Sequence, residues 1–590
     1  MDEYDVLIKN AIIVDGTGAK PFKGSIAVAG DKIAALGDTG GDAKKIVDAE
    51  GFTAFPGFID AHSHADWTLL WYPECESYVM QGVTTFIGGQ CGGSPAPLGN
   101  TVRLPRLLRD HIFDLQPYKF YTGKPFYPID QVNRWMEDIY GWALDWETMG
   151  DYFERVETTG ISANYAPLLG HGSVRTKVMG LDYRRDSTTE ERDLMHALIA
   201  EGMDQGCIGM SVGMDYDPDS FATRDEITEA VRVLKPYGRV YCPHALLTGR
   251  RRGWASGHSL NEKITGFMDE VDTYRKTGVR LHIAHLTQGW DVTPRSSEEL
   301  DAANFQATIE AVTKESRGDL DITYDTMPVF IRGGYDMQTY LCSLLEPWLR
   351  QLGGREALGR WLRLKEFREE IKDAISQGKW YIRTYTNPVI NPRWAENIYI
   401  TRSSSPGTEG KSIAQIAENR ATDPWDAWFD VIAEDPDTRA VTDFMVRTKK
   451  SIEVLYRNPL SSVGLDVALY DDKYQPRNPP YRIPGVLTYS GFPLFVKTVL
   501  DNAILPLEQI ALKTSVSAAR AHILKDRGTL TPGSYADIVL MDLERLEITG
   551  DGLESRKYAK GVEHVFVNGE AVVENGRHTG ARSGRVLKAE

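Results

Sequence analysis

The stretch Pro56-Gly-Phe-Ile-Asp-Ala-His-Ser-His-Ala-Asp66 places two histidines directly after a short apolar strand that follows a Pro-Gly break. Similar apolar runs recur through the middle of the chain, at residues 84–89, 208–212, 239–243, 280–285 and 322–324. Helical patterns lie between them, at residues 189–201, 224–234 and 305–312. Alternation of strands and helices over several hundred residues indicates a parallel sheet, and a closed (β/α)8 barrel is the commonest fold of that size. We therefore predict an α/β protein with a TIM barrel over residues 58–527.

Both ends of the chain consist of short strand patterns separated by turn residues. The N-terminal patterns cover residues 5–9, 11–15, 25–29 and 32–36. Near the C-terminus, residues 536–542 resemble a strand, and residues 564–573 resemble a hairpin with Asn568-Gly569 at its turn. We predict one small β-sandwich domain formed by residues 1–57 and 528–590, with two unrelated β caps as the alternative.

Two stretches interrupt the strand-helix alternation and are predicted to be insertions. Residues 100–140 contain many aromatic side chains without a clean period, and we expect them to form a lid that contacts the substrate. Residues 341–440 are mostly helical in pattern, with a charged helix near residues 361–375. Segments of this length commonly form lids, interfaces or binding surfaces.

The net charge, hydropathy and cysteine content of the chain indicate which kinds of binding partner to expect. The net charge of −16 argues against nucleic acid or an anionic membrane, because binding phosphate needs a positive field. No apolar run is long enough to cross a bilayer, and the acidic N-terminus shows no targeting peptide. Five widely spaced cysteines without a CxxC pair fit a reducing compartment, so we expect a cytoplasmic protein. The expected partner is a small molecule, and a homo-oligomer is left open.

Six residues near the ends of predicted strands are candidate metal ligands: His62, His64, Cys91, His244, His285 and Asp466. Side chains alternate along a strand, so His62 and His64 are expected on one face. Cys91 follows a glycine-rich strand end that permits close approach, although a lone cysteine is more often a buried thiol. A single aspartate at a strand end, such as Asp466, is usually a helix N-cap. Asp466 is a candidate ligand only because the other five candidates accompany it.

The strand at residues 280–285 contains two histidines, of which His285 is closer to the tip and is the expected ligand. His282 is expected to pack behind the site. A mixture of nitrogen, sulfur and oxygen ligands favours Zn²⁺ over Mn²⁺, Co²⁺ or Fe²⁺, and the set can hold one or two ions.

These motifs resemble the amidohydrolase superfamily and, more narrowly, its N-acyl-D-amino-acid deacylase (D-aminoacylase) branch. The likeness covers nearly the whole chain, and Cys91-Gly-Gly-Ser-Pro-Ala-Pro97 and Gly170-His-Gly-Ser-Val-Arg175 are specific to the branch. The resemblance implies a cysteine-bridged metal centre. Cys91, His244 and His285 would hold a tight ion; His62 and His64 would share Cys91 in a second, weaker site near Asp466.

The same resemblance implies hydrolysis of an amide C–N bond in a small molecule by metal-activated water. Bound Zn²⁺ lowers the pKa of its water to roughly 7, and Asp466 would take the proton of that water and pass it to the leaving nitrogen. His171 is a second candidate catalytic residue, a hydrogen-bond donor, with a structural loop histidine as the alternative. The candidate substrate-binding residues are Arg175, Thr287 and Tyr324.

The chain departs from the branch where the branch typically carries an Arg and a Lys, each two residues after a tight-site histidine. Here the two positions are Leu246 and Thr287. Because cationic groups bind a substrate carboxylate, their loss points to a neutral or differently charged amide, lactam, cyclic imide or carbamate. Residues 250–252 and Arg332 are candidate replacements. A ring-opening hydrolase for cyclic amides is one alternative function, and a non-catalytic scaffold with the same fold is another.

Overall fold

The computed structural model describes residues 4–105, 107–108, 126–247, 263–290, 297–318, 320–329, 339–377, 388–389, 392–442, 448–474, 484–551 and 554–590. Within these ranges, none of the helices combines the length and the apolar character that spanning a membrane requires.

Eight parallel strands of the described chain form a barrel. In chain order, barrel strands 1 to 8 are Phe58–Asp60, Val83–Gly88, Asn164–Gly170, Gly209–Gly213, Val240–His244, Arg280–Ile283, Ile322–Thr326 and Ser461–Val463. Each strand pairs with the next, and strands 1 and 8 are joined by a hydrogen bond of 3.0 Å from the Ala61 N–H to the Val463 carbonyl. This arrangement confirms the predicted (β/α)8 barrel.

Alternation along the barrel strands separates an inner from an outer layer of side chains. Residues such as Ile59, Ile87 and Leu168 fill the interior, whereas Phe58 and Tyr241 pack outward in the largest core. Helices cover the outside: Glu76–Val79, Ile129–Tyr140, Met149–Thr159, His171–Met179, Thr189–Asp204, Arg224–Val233, Lys263–Thr277, Glu298–Thr313, Lys449–Arg457, Val486–Asp501, Leu507–Ala511 and Ser517–Ala521. Strands buried on both faces need apolar residues throughout, which is why these short runs were visible in the sequence.

The predicted helices are present, and one of them is longer than its pattern. Residues 305–312 belong to Glu298–Thr313, which begins after Ser297, whose side chain accepts a hydrogen bond from the Leu300 N–H. Three of the first four residues of this helix are acidic, which weakens the apolar pattern there, although acidic residues suit the N-terminal end of a helix.

A second sheet combines strands from both ends of the chain. Its strands are Tyr4–Ile13, Phe22–Ala29, Lys32–Gly37, Ala43–Asp48, Thr53–Pro56, Ile538–Met541, Val562–Val567, Glu570–Glu574 and Arg577–His578. Thr53–Pro56 pairs antiparallel with Ile538–Met541, so the two ends share one sheet, and side chains such as Ile26 and Phe566 meet in one core. The predicted terminal β domain is thus confirmed, and two unrelated caps are excluded. The boundaries at residues 57 and 528 stay predictions.

One turn and one strand irregularity in this sheet depend on residues with positive φ. Asn568 (φ 50°) and Gly569 (φ 84°) connect the strands of the predicted hairpin. The patterns at residues 5–9 and 11–15 belong to one strand, Tyr4–Ile13, in which Asn10 (φ 65°) lies at an irregularity in the pairing.

The insertion at residues 100–140 is described in part. Thr101–Arg103 pairs antiparallel with Phe126–Pro128, and the helix Ile129–Tyr140 follows. Tyr118, Phe120 and Tyr121, which belong to the predicted lid, lie outside the described residues.

The insertion at residues 341–440 has a hydrophobic core of its own. Its elements are the helices Glu346–Gln351, Arg355–Trp361, Lys365–Ser376, Ile413–Arg420 and Pro424–Glu434, and the strands Thr339–Tyr340, Ile398–Arg402 and Arg439–Thr442. Trp394 and Trp428 pack in this core with ring centroids 5.5 Å apart. The charged helix predicted near residues 361–375 begins at Lys365, because Arg355–Trp361 is a separate helix.

Candidate metal centre

His62 and His64 leave barrel strand 1 through a turn. The strand ends at Asp60, whose Oδ1 accepts hydrogen bonds from the His62 N–H at 3.1 Å and the Leu465 N–H at 2.8 Å. The bond to His62 closes an Asx-type turn. The two imidazoles lie close together, with ring centroids 5.5 Å apart. Their proximity was predicted, but its cause is this turn, since both histidines lie beyond the alternating part of the strand.

Cys91 lies in a loop after barrel strand 2 that a hydroxyl group holds in place. Ser211, on barrel strand 4, donates to the Gly89 carbonyl at 2.5 Å and accepts from the Gly92 N–H at 2.9 Å. A side chain at Gly92 would be blocked, because its Cβ would lie 2.1 Å from Asp219 Oδ2. The glycines around Cys91 therefore serve the close packing that the sequence indicated, and Ser211 was missed.

His244 and His285 come from barrel strands 5 and 6. His244 ends strand 5, and its Nε2 lies 3.1 Å from Asp215 Oδ2. His285 lies two residues beyond strand 6, and its backbone N–H donates to Asp325 Oδ1 at 2.9 Å. The two imidazoles approach to 2.7 Å between His244 Nδ1 and His285 Nε2. Asp215 thus contacts Nε2 of His244, while Nδ1 of the same ring faces Cys91. Asp215, which lies just beyond a strand end, was not identified in the sequence.

Cys91 is shared by two groups of candidate ligands. One group is His62, His64 and Cys91, the other is Cys91, His244 and His285, and within each the ligand atoms lie within 4.8 Å of one another. Cys91 Sγ is 3.4 Å from His62 Nε2, 3.5 Å from His244 Nδ1 and 3.8 Å from His285 Nε2. Around tetrahedral Zn²⁺, a nitrogen and a sulfur ligand would be about 3.5 Å apart. The sulfur–nitrogen distances therefore suit one or two ions, for which Cys91 would be a shared ligand.

The charges in the site favour the thiolate of Cys91, the form that binds metals. Burial opposes ionisation of this thiol, but His62 and His244 outweigh it and hold the pKa of Cys91 well below its ordinary value. Burial likewise opposes protonation of His244, but the Cys91 thiolate and Asp215 raise the pKa of this imidazole to about 9. His285 differs, because burial and the neighbouring His244 lower its pKa.

Asp466 faces the two histidines of barrel strand 1. Its Oδ1 lies 3.1 Å from His64 Nε2 and 3.9 Å from His62 Nε2, and its side chain is 15% exposed. The Asp466 N–H donates to the His62 carbonyl at 2.8 Å, which fixes the backbone beyond barrel strand 8. A partly exposed carboxylate at the edge of the ligand cluster is suitably placed to exchange a proton with a bound molecule.

Three of these residues have left-handed backbone conformations: Cys91 (φ 55°), His285 (φ 34°) and Asp466 (φ 53°). Sparsely populated conformations of this kind cost about 1–3 kcal/mol each and cluster at functional sites. Each residue lies just beyond a barrel strand, where the chain turns across the barrel mouth. The backbone strain is therefore concentrated where the candidate ligands are.

Asp325, on barrel strand 7, was missed in the sequence. Its Oδ2 lies 3.5 Å from His62 Nδ1 and 3.3 Å from His282 Nε2, and its Oδ1 accepts the His285 N–H. Burial opposes ionisation, but His62 and His282 hold the pKa of Asp325 below its ordinary value. A carboxylate in contact with a ligand histidine orients the imidazole ring. The sequence signal was its position, since Asp325, like Asp466, is an acid near a strand end.

The predicted role of Tyr324 in substrate binding is wrong. Strand alternation directs neighbouring side chains to opposite faces, and Asp325 faces the barrel interior. Tyr324 accordingly belongs to the large outer core and is fully buried. A substrate at the barrel mouth cannot reach it.

His171 and Arg175 belong to a buried ionic network behind the Cys91 loop. His171 Nδ1 lies 2.9 Å from Asp219 Oδ1, and its Nε2 lies 3.6 Å from Glu226 Oε1. Arg175 also pairs with Glu226 and donates to two backbone carbonyls. Both side chains are fully buried, and the pairing of Arg175 with Glu226 favours a structural role over the predicted substrate binding. His171 contacts Asp219, and Asp219 accepts a hydrogen bond from the Gly213 N–H. These contacts favour the structural role that was the alternative for His171.

The two positions that depart from the branch pattern differ in exposure. Leu246 is 2% exposed and packs in the outer core. Thr287 is half-buried two residues after His285, and its substrate-binding role stays a prediction. Residues 250–252 and Arg332, the candidate cationic replacements, lie outside the described residues.

Comparison with known proteins decides the family. The sequence model of the amidohydrolase family matches residues 45–341, just over half of the chain. The chain belongs to the amidohydrolase family. Membership confirms the resemblance seen in the motifs and, with it, a hydrolase that acts on C–N bonds.

Relatives of this amidohydrolase agree over almost the whole length. A D-aminoacylase of Alcaligenes xylosoxydans xylosoxydans is 26% identical over 589 residues, which cover 99% of this chain and 97% of the relative. An N-acyl-D-aspartate deacylase of the same organism is 25% identical, over 99% of this chain and 95% of the relative. A solved structure of a D-aminoacylase, described as having a binuclear metal centre, is 24% identical with a TM-score of 0.66, over 99% of this chain and 100% of that chain. This structural likeness supports the barrel fold.

Proposed function

We propose that this amidohydrolase uses zinc to cleave the amide bond of a small molecule. The observation that carries the proposal is the convergence of imidazoles from both sides on the Cys91 sulfur, at sulfur–nitrogen distances suited to shared coordination of an ion. Cys91, His244 and His285 would hold one ion, and His62 and His64 would hold a second with Cys91 shared. Mixed nitrogen and sulfur ligands suit Zn²⁺ better than harder cations.

Zn²⁺ bound there supplies a Lewis acid, which polarises the scissile carbonyl and lowers the pKa of water to about 7. The protein's own contribution is to hold the ligands and to move the proton. Asp466 would accept a proton from the attacking water and return it to the leaving nitrogen. Asp325 and Asp215 engage the ring nitrogens of His62 and His244 that face away from Cys91, which orients both imidazoles.

A ring-opening hydrolase acting on cyclic amides is the second candidate. Leu246 is buried and Thr287 is neutral, so neither position offers the cation that a free carboxylate would use. A non-catalytic scaffold has no support in the described residues, because every predicted ligand position retains a side chain that can bind metal.

The test combines metal analysis with a substrate panel. The purified protein should contain zinc, lose activity on chelation and regain activity when zinc is restored. Linear N-acyl-D-amino acids and cyclic amides of the hydantoin type, assayed side by side, separate the two candidates. Full activity after complete removal of metal would overturn the proposal.

A further inference from the structure

A buried imidazole lies in the barrel beneath the candidate metal centre. His282, on barrel strand 6, is completely shielded from solvent, and its neighbours Leu281 and Ile283 belong to the outer core. Alternation along the strand therefore directs His282 into the barrel interior, which apolar side chains such as Ile59 and Leu168 fill. A buried polar group without partners costs free energy, and an apolar side chain at this position would avoid that cost. The partners of His282 therefore bear on why the chain has an imidazole here.

Both ring nitrogens of His282 face polar groups of barrel strand 7. The two strands pair so that His282 lies opposite Thr323, and Nδ1 of the imidazole is 2.8 Å from the Thr323 hydroxyl oxygen. Nε2 lies 3.3 Å from Asp325 Oδ2. An ionised carboxylate only accepts hydrogen bonds, so the ring hydrogen belongs on Nε2, and the Thr323 hydroxyl can then donate to Nδ1. This hydroxyl thus fixes the imidazole with its N–H towards the carboxylate.

Asp325 in turn contacts both groups of candidate ligands. Its Oδ1 accepts the His285 N–H at 2.9 Å, and its Oδ2 lies 3.5 Å from His62 Nδ1. Gly464 leaves space for this carboxylate, since a Cβ on the glycine would lie 2.6 Å from the His62 Cβ and 2.7 Å from Asp325 Oδ1. The Asp325 carboxylate is therefore closely packed, and a rotation of it would change its contacts with both ligand groups.

We propose that His282 is a positioning residue, whose Nε2–H holds the Asp325 carboxylate in the orientation that places His62 and His285 for metal binding. This inference rests on the proposed function and adds to it a residue that acts on the ligands through Asp325. Groups that orient metal ligands change metal affinity about 10- to 100-fold when they are replaced. A residue one step further from the metal should have an effect at the lower end of that range.

The test measures zinc affinity by competition with a chromophoric chelator, which needs no substrate. His282→Phe keeps a ring in the interior and removes both nitrogens, and it should bind zinc about 10-fold more weakly than the wild type, because the Asp325 carboxylate is no longer held. His282→Gln keeps an N–H donor and should recover much of the lost affinity. Thr323→Val removes the hydroxyl at nearly constant volume and should cause a smaller loss than His282→Phe.

His522→Phe is the matched control. His522 is buried in the same interior, and its ring lies 4.6 Å from that of His282. In the described part of the chain, no hydrogen bond or ion pair joins His522 to Asp325, so His522→Phe should bind zinc as the wild type does. An equal loss in His522→Phe, or no recovery in His282→Gln, would assign the effect to packing and overturn the proposal.

A double-mutant cycle separates positioning from packing. If His282 acts through Asp325, His282→Phe should have no further effect on zinc affinity in an Asp325→Asn background, whereas independent effects would add. The same cycle with Thr323→Val applies if His282→Phe does not fold. Additive losses, or wild-type affinity in His282→Phe, overturn the role of His282 while the zinc-dependent hydrolase stands. A wild type that binds no zinc overturns the proposed function as well.

Discussion

One of the two ligand groups at Cys91 can be compared with a second cysteine–histidine cluster of the same barrel, which lacks the geometry of a metal site. The first comprises Cys91, His244 and His285; the second comprises Cys242, His282 and His522. In the first, the sulfur lies 3.5 Å and 3.8 Å from the imidazole nitrogens. In the second, Cys242 Sγ is 4.0 Å from His522 Nδ1, and the rings of His282 and His522 are 4.6 Å apart.

The two thiols differ still more in their electrostatics. Nearby imidazoles overcome burial at Cys91 and hold its pKa well below the ordinary value. At Cys242, burial raises the pKa well above that value, and the charge of Asp325 adds to the effect. Burial and the neighbouring His282 hold the pKa of His522 well below its usual range. The second cluster is therefore a packed interior with a neutral thiol and a neutral His522.

Position along the strand explains the difference. Cys242 lies within barrel strand 5 and packs among the apolar side chains of the interior. Cys91 lies beyond the end of strand 2, where loops bring imidazoles from several strands together. Asp325 contacts both clusters, since its Oδ1 accepts the His285 N–H and its Oδ2 lies 3.3 Å from His282 Nε2. The residue types alone do not make a metal site; their place relative to the strand ends does.

The largest expected effect is that of Cys91→Ala. Because Cys91 is shared by both ligand groups, its removal should abolish zinc binding and activity together. Elemental analysis and an amide hydrolysis assay on the same preparation measure both. A Cys91→Ala protein that keeps its zinc would show that the two clusters differ less than the distances indicate.

Asp466→Asn should come next, with kcat lower by about 10²–10⁴-fold because proton transfer is lost. Asparagine tolerates positive φ as aspartate does, so the fold and the zinc content should be preserved. Asp526→Asn is the matched control, since Asp526 also has a positive φ of 55° and its side chain is 66% exposed. Unchanged kcat in Asp466→Asn would remove this residue from the proton path.

Asp325→Asn should weaken zinc binding about 10- to 100-fold, because the partner that orients His62 is altered. Competition with a chromophoric chelator gives the affinity directly. Asp321→Asn, directly before the same strand, should leave the affinity unchanged. Equal affinities in wild type and Asp325→Asn would mean that the link between the two clusters is only packing.

Cys242→Ala should have the smallest effect and sharpen the comparison most. The loss of a buried sulfur should lower the free energy of unfolding by about 0.5–3 kcal/mol, in the range of ordinary core substitutions. Zinc content and kcat/KM should equal those of the wild type. Denaturant unfolding and metal analysis test this, and a loss of zinc would contradict the assignment of the second cluster to the packed interior.

Local patterns in the sequence were sufficient to predict the barrel, the joined terminal domain and the six candidate ligands. Short apolar runs and strand-tip histidines are local signals, and the Asn568-Gly569 turn depends on φ preferences of the two residues themselves. The choice of His285 over His282 followed from the position of each within one strand. The structure brings His285 to Cys91 and places His282 beneath it, against Asp325.

Only the tertiary structure decided what surrounds those ligands. Asp325 faces inward and Tyr324 outward because the barrel sets the orientation of strand 7, and Arg175 is buried because Glu226, 51 residues later, pairs with it. A strand pattern predicts which residues lie at a strand end. The direction of a side chain beyond that end depends on charges and loops from distant parts of the chain.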